Sequence, residues 1–123
     1  MDCFYERGKE MDYMEFDATE MNNLRWKEMM SKWLKTSKSF EIHCWNIEQD
    51  EIKMALQFGE LKESCWESGK IIQGTVTPEF INYVLNIPKP TDTEIYNKMT
   101  PFFTIALDNG FWSEHYGTEL THI

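Results

Sequence analysis

The sequence predicts an α+β fold: a single compact domain in which helices pack on one face of a largely antiparallel sheet. Three observations carry that expectation. In PFFTIALDNGFWSEHYG (101–117), two apolar-rich runs flank Asp108-Asn109-Gly110. Asn-Gly accepts the positive φ angles of a tight type I′ turn, so this stretch is expected to be a β-hairpin. Trp26, Met29, Met30 and Trp33 recur at i, i+3, i+4 and i+7, which is one face of an α-helix with enough aromatic bulk to cover a sheet. Strand-like and helix-like runs are mixed along the chain rather than strictly alternating, which argues against a doubly wound parallel sheet. A hairpin alone is marginal in water, so the 101–117 segment needs further strands or a helix against it.

Taken in order, residues 1–11 are polar and weakly patterned and are expected to form a loosely ordered arm, leaving 12–123 as the domain. Tyr13–Phe16 alternates enough for a short strand. Asp17-Ala18-Thr19-Glu20 places an acceptor at a cap with Glu three residues on, a helix start. The helix carries Arg25, Lys27, Lys32, Lys35 and Lys38 opposite its Trp/Met stripe, and Thr36–Ser39 ends it. Phe40–Ile47 alternates Phe40, Ile42 and Cys44 on one side with Glu41, His43 and Trp45 on the other, a strand. Glu48–Phe58 suits a short helix, with Glu48, Asp50 and Glu51 in the first turn, where the dipole favours negative charge. Ile52, Ala55 and Leu56 form its apolar face, and Gly59 fits the left-handed C-terminal position.

Leu61–Trp66 and Ile71–Val76 are two further strands around Ser68-Gly69, the first polar enough to be an edge or partly irregular. Thr77-Pro78-Glu79 is a helix start with Pro at the first helical position, followed by Phe80, Ile81, Val84 and Leu85, and stopped by Pro88 and Pro90. Thr91 with Glu94 marks one more capping box before Pro101. The hairpin places Phe103, Ile105 and Leu107 on one face of its first arm. Its second arm puts Phe111, Ser113 and His115 on one face and Trp112, Glu114 and Tyr116 on the other. From Gly117 on the tail is short and polar.

At 123 residues, with 41% hydrophobic and 15% aromatic content, there is ample material for one core and whole-chain disorder is not expected. No apolar run approaches the ~18–20 residues of a membrane helix, and MDCFYERGKE lacks the basic-then-apolar order of a signal peptide. A cytoplasmic location is expected. Cys3, Cys44 and Cys65 lack CxxC spacing and cannot all pair, so reduced thiols are expected. The net charge of −9 disfavours non-specific nucleic-acid binding and favours a basic protein surface as partner. The acid is uneven: 41–67 holds seven carboxylates against two lysines, and 108–123 holds three with no Lys or Arg, while 20–38 is basic.

No stretch spells out a reaction. His43-Cys44 cannot act as base and nucleophile on a strand, where neighbours point to opposite faces. Ser113 and His115 share a face two residues apart and could be built into a hydroxyl–base pair, although no GxSxG turn accompanies them. His115, Glu119 and His122 are metal-capable types at spacings of four and three, but Gly117 argues against the helix that would converge them. The six glycines are scattered as turn and cap residues, with no phosphate loop. No catalytic residue, cofactor or metal ligand is therefore assigned. What remains is acid beside aromatics: Trp45, Trp66, Trp112 and Tyr116 lie on strands beside Glu41, Glu63, Glu67 and Glu114. Trp and Tyr anchor interfaces, and carboxylates speed encounter with a basic partner.

With FWSEHYG and the Trp-rich WKEMMSKW in view, the whole chain, in its acidic, aromatic-rich α+β character, resembles the immunity proteins of bacterial polymorphic and contact-dependent toxin systems. That resemblance implies an inhibitory binding protein, not an enzyme, that neutralises a cognate and basic toxin domain such as a nuclease by direct contact. The candidate partner-binding residues are Glu48, Asp50, Glu51, Glu60, Glu63, Trp66, Glu67, Asp108, Trp112, Glu114 and Tyr116. The alternatives are a small enzyme or ligand-binding domain with an aromatic pocket using Ser113 and His115, and a scaffold subunit of a cellular complex.

Overall fold

A computed structural model describes residues 12–15, 20–91 and 98–122. The 1–11 arm, residues 17–19 of the expected cap and most of the 91–99 helix expectation lie outside the described residues. Along the chain run β1 (Asp12–Glu15), α1 (Glu20–Leu34), β2 (Ser39–Trp45), α2 (Gln49–Leu56), β3 (Gly59–Lys62), β4 (Gly69–Thr75), α3 (Pro78–Asn86), β5 (Thr104–Leu107), β6 (Phe111–Glu114) and β7 (Glu119–His122). The strands form one sheet in the order β1-β7-β6-β5-β2-β4-β3, and every pairing is antiparallel. This is the expected α+β domain.

The centre is β2, whose alternation is copied in its burial. Phe40, Ile42 and Cys44 are buried, and Glu41, His43 and Trp45 between them are half-buried. On the Phe40 side the core gathers Trp26, Met30 and Leu34 from α1, Ile52 and Ala55 from α2, and Phe80 and Val84 from α3 around Ile72, Ile105, Phe111 and Leu120. Among the described residues, all three helices thus serve one face. The stripe on α1 is turned slightly from the expected one: Leu34 is sealed, while Met29 and Trp33 are half-buried. Trp26 Nε1 donates to Ser113 Oγ at 3.1 Å, tying α1 to β6. At α3, Thr77 Oγ1 accepts from Phe80 N at 3.1 Å with Pro78 behind it, the expected cap.

The strand expected over Leu61–Trp66 is shifted: β3 runs Gly59–Lys62 and 63–66 is irregular, but β3 does sit at the sheet edge, short and carrying Lys62, as edge strands that resist stray pairing do. Gly59, expected as a helix C-terminal residue, is instead the first residue of β3. It is glycine because the backbones come close: a Cβ there would lie 2.3 Å from the Gln73 carbonyl oxygen.

The hairpin joins β5 and β6 with Ile105 opposite Ser113 and Ala106 opposite Trp112. Its turn is not type I′. Gly110 N donates to Leu107 O at 3.1 Å, and only Gly110 takes a positive φ (91°). That is the pattern of a three-residue connection ending in a left-handed glycine. Positive φ at two successive central residues falls at the next turn, on His115 (52°) and Tyr116 (60°), followed by Gly117 (87°). Non-glycine residues seldom adopt it, and here the surroundings enforce it. Tyr116 O accepts from Met99 N (2.8 Å) and Thr100 N (3.2 Å), and Tyr116 N donates to Phe103 O (3.0 Å). The expected polar tail is a strand, β7, whose Leu120 is 1% exposed; pairing with both β6 and β1 outweighs its weak local pattern.

Cys44 is a buried free thiol, whereas Cys65 is disulfide-bonded, so the expectation of reduced thiols throughout does not hold. Among the described residues no helix is long and apolar enough to cross a membrane.

Candidate interaction face

The sheet face turned away from the helices is built by the residues that alternate with the core. Cross-strand register aligns Glu60, Gln73, Glu41, Ala106, Trp112 and Thr121 in one row from β3 to β7. The neighbouring row holds Lys62, Ile71, His43 and Thr104. Side chains opposite one another in a ladder share a face and touch; in these rows Thr104, Ala106 and Thr121 are buried and the others are half-buried or exposed.

Its charged centre is Glu41. His43 Nε2 donates to Glu41 Oε1 at 3.1 Å, and Lys62 Nζ donates to Oε2 at 2.6 Å. The His43 hydrogen bond, with help from Lys62 and against the opposing effect of burial, holds the carboxyl at about 2, well below its usual value. Indoles flank this group. His43 lies 6.2 Å from Trp66 and 5.8 Å, edge-on, from Trp112, centroid to centroid. Trp66 packs 5.0 Å from Trp45, which packs 5.0 Å from Phe103. Trp66 also lies over Gly69, where a Cβ would fall 2.3 Å from its ring. Trp45, Trp66, Phe103 and Trp112 are each half-buried, with an edge held and a surface presented. Between Trp112 and Glu41 runs a groove of about 480 Å³ lined also by Glu60, Gln73, Ala106 and Asp108.

The expected partner-binding residues divide. Glu60, Asp108 and Trp112 line the groove. Trp66 stands beside it, and Glu63 and Glu67 are exposed on the same β3–β4 connection. Glu114 alternates in register with Trp112 on β6 and shares its face. Glu48, Asp50 and Glu51 belong instead to the start of α2, in the helix layer. The Glu48 carboxylate is engaged internally, accepting from Trp45 N at 2.9 Å and from the Tyr116 hydroxyl at 2.8 Å. Tyr116 is 5% exposed and serves the core, so it is withdrawn from the expected set. The expected acidic surface over 48–67 is therefore two surfaces, because α2 folds to one side of the sheet and β3 continues on the other. Glu41, His43, Lys62, Gln73 and Phe103 were not singled out as site residues, although the alternation in FEIHCW already placed Glu41, His43 and Trp45 on one side.

The constellations considered for chemistry do not assemble. Ser113 is fully buried under α1 as the acceptor for Trp26, while His115 leads the strained turn and pairs with Glu119 (Nδ1 to Oε2, 2.7 Å). The strand alternation that would put both on one face ends at Glu114. His122 is drawn away from Glu119 and His115: it stacks on Trp33 at 4.0 Å and donates from Nε2 to Asn109 O at 3.2 Å. Cys44 is sealed, and burial, with the nearby charges of Glu48 and Glu51, pushes its thiol up to about 12, far from a thiolate at neutral pH. No family model, curated protein or solved structure matches this chain.

Proposed function

We propose that the chain is an inhibitory binding protein of the immunity type, which neutralises a cognate toxin domain with a basic surface, such as a nuclease, through the face of its sheet turned away from the described helices. One observation carries the reading: that face presents Trp45, Trp66 and Trp112 half-buried beside the carboxylates Glu41 and Glu60, with Glu63, Glu67, Asp108 and Glu114 around it. Indoles held at one edge lose little entropy when a partner covers them, and a carboxylate rim gives long-range attraction to a cationic surface.

The test is protection. The chain is co-expressed with basic toxin domains, beginning with any encoded beside its gene, and growth is measured. Wild type is expected to restore growth. Trp66→Ala with Trp112→Ala is expected to lose protection while keeping its circular dichroism. Glu63→Lys with Glu67→Lys is expected to slow association and flatten its salt dependence. Unimpaired protection by the folded double indole variant, or kinetics indifferent to both salt and charge reversal, refutes the assignment. A cytoplasmic location belongs to the same proposal, and the disulfide at Cys65 makes it testable, since cytosolic thiols stay reduced: an equal thiol count in protein isolated with and without reductant supports the cytoplasm, and a count that rises with reductant refutes it.

A further inference from the structure

The groove on the open face has a definite shape, and it limits what can lie in it. Its floor is Ala106, whose methyl group sits between Glu41 on β2 and the Trp112 indole on β6. Gly74 and Gly110 add no side chains to the lining, and no Lys or Arg contributes to it. Three strand spacings separate Ala106 from Glu60 along the row through Glu41 and Gln73, about 14 Å at the usual interstrand distance. An extended peptide covers about that length in four residues, and residues i and i+4 of an extended chain face the same way.

Each end offers a different contact. Above Ala106, a flat cation can stack on the Trp112 indole while its edge N–H groups meet Asp108, whose Oδ1 already accepts from Lys38 N, and share Glu41 with His43 and Lys62, a geometry suited to guanidinium rather than ammonium. At the other end Glu60 is exposed and takes any cation. Resting on the reading of this face as a partner surface, we infer that the groove receives an extended basic segment of the partner with cations four residues apart, arginine over Ala106 and lysine or arginine at Glu60. Charge complementarity selects this occupant: the lining has three carboxylates, and Lys62 offsets only one of them, Glu41.

Two acetylated, amidated peptides of equal charge test it, Arg-Ser-Gly-Ser-Arg and a control with the arginines two residues apart, titrated into ¹⁵N-labelled protein. The four-residue spacing is expected to bind about fivefold more tightly, the worth of one exposed ion pair. Shifts are expected at the Trp112 indole N–H, the Ala106 amide and the Glu60 amide. Ala106→Leu, which fills the floor, is expected to abolish that preference. If Ala106→Leu loses its spectral dispersion, Glu60→Gln at the exposed edge is expected to equalise the two peptides. Equal binding of both peptides to wild type overturns the inference. So do shifts centred on Asp50 and Glu51, or concentration-dependent shifts at Trp112 without peptide, which would put a second copy of the chain in the groove. Discrimination between peptides without protection from a toxin supports the groove and defeats the immunity reading. Protection that is indifferent to a folded Ala106→Leu does the reverse.

Discussion

The hydrogen bond from the Trp26 indole to the Ser113 hydroxyl carries a prediction that can be worked through. The two groups lie 3.1 Å apart, 87 positions apart in sequence, with Trp26 at 1% and Ser113 at 0% exposure. Ser113→Ala leaves the indole N–H buried without a partner, which costs about 1–3 kcal/mol. Trp26→Phe orphans the hydroxyl at a similar cost and adds the loss of part of the indole's packing. The double variant keeps the packing loss but strands neither group. The two changes should therefore be non-additive, with a coupling of about 1–2 kcal/mol. Urea unfolding followed by circular dichroism at 222 nm measures all four corners of the cycle. At this chain length each kcal/mol moves the melting temperature by roughly 3–5 °C, so thermal scans give an independent reading. A coupling below about 0.3 kcal/mol, the level of independent sites, refutes the reasoning and with it the assignment of Ser113 as a structural acceptor.

Three further outcomes are expected. Glu41, held at about 2 against an ordinary 4.5, stabilises the fold above pH 4.5, and that contribution drains away as the pH falls from 4.5 towards 2, because the unfolded chain takes up the proton first. Glu41→Gln should remove on the order of 1–3 kcal/mol at pH 7, a range reduced for the partial exposure of the pair, and flatten the acid limb of urea midpoints against pH. Gly59→Ala forces a methyl group against the Gln73 carbonyl at 2.3 Å and should lower the urea midpoint by about 1–3 kcal/mol equivalent; an unchanged midpoint would mean that β3 is not paired with β4 as described. Cys44, buried and with its thiol at about 12, should react with maleimide at pH 7.5 only as fast as the protein unfolds, so that labelling accelerates in step with added urea.

Much of this structure follows from local pattern. The alternation of FEIHCW fixed the two faces of β2, the Thr77-Pro78 pair fixed the start of α3, and the apolar runs around Asp108–Gly110 fixed a hairpin, because each depends on neighbours within a few residues. Where local pattern is weak, distant partners decided. Thr118–His122 has one apolar residue in Leu120 and becomes a strand only because β6 and β1 pair with it on either side. Left-handed backbone was expected at Asn109 and is found at His115 and Tyr116, where hydrogen bonds from Met99 and Thr100 hold the turn. The candidate site divides in the same way. The sequence by itself determined that Glu41, His43 and Trp45 share one side of a strand and that acid gathers near indoles. Only the tertiary structure decided that this side is turned away from the described helices, that Glu60 and Trp112 lie in the same row as Glu41, and that Glu48 and Tyr116 are spent on each other. Periodicity sets which residues face together, but which face is covered depends on pairings between segments far apart in the chain, and no short window of residues encodes those.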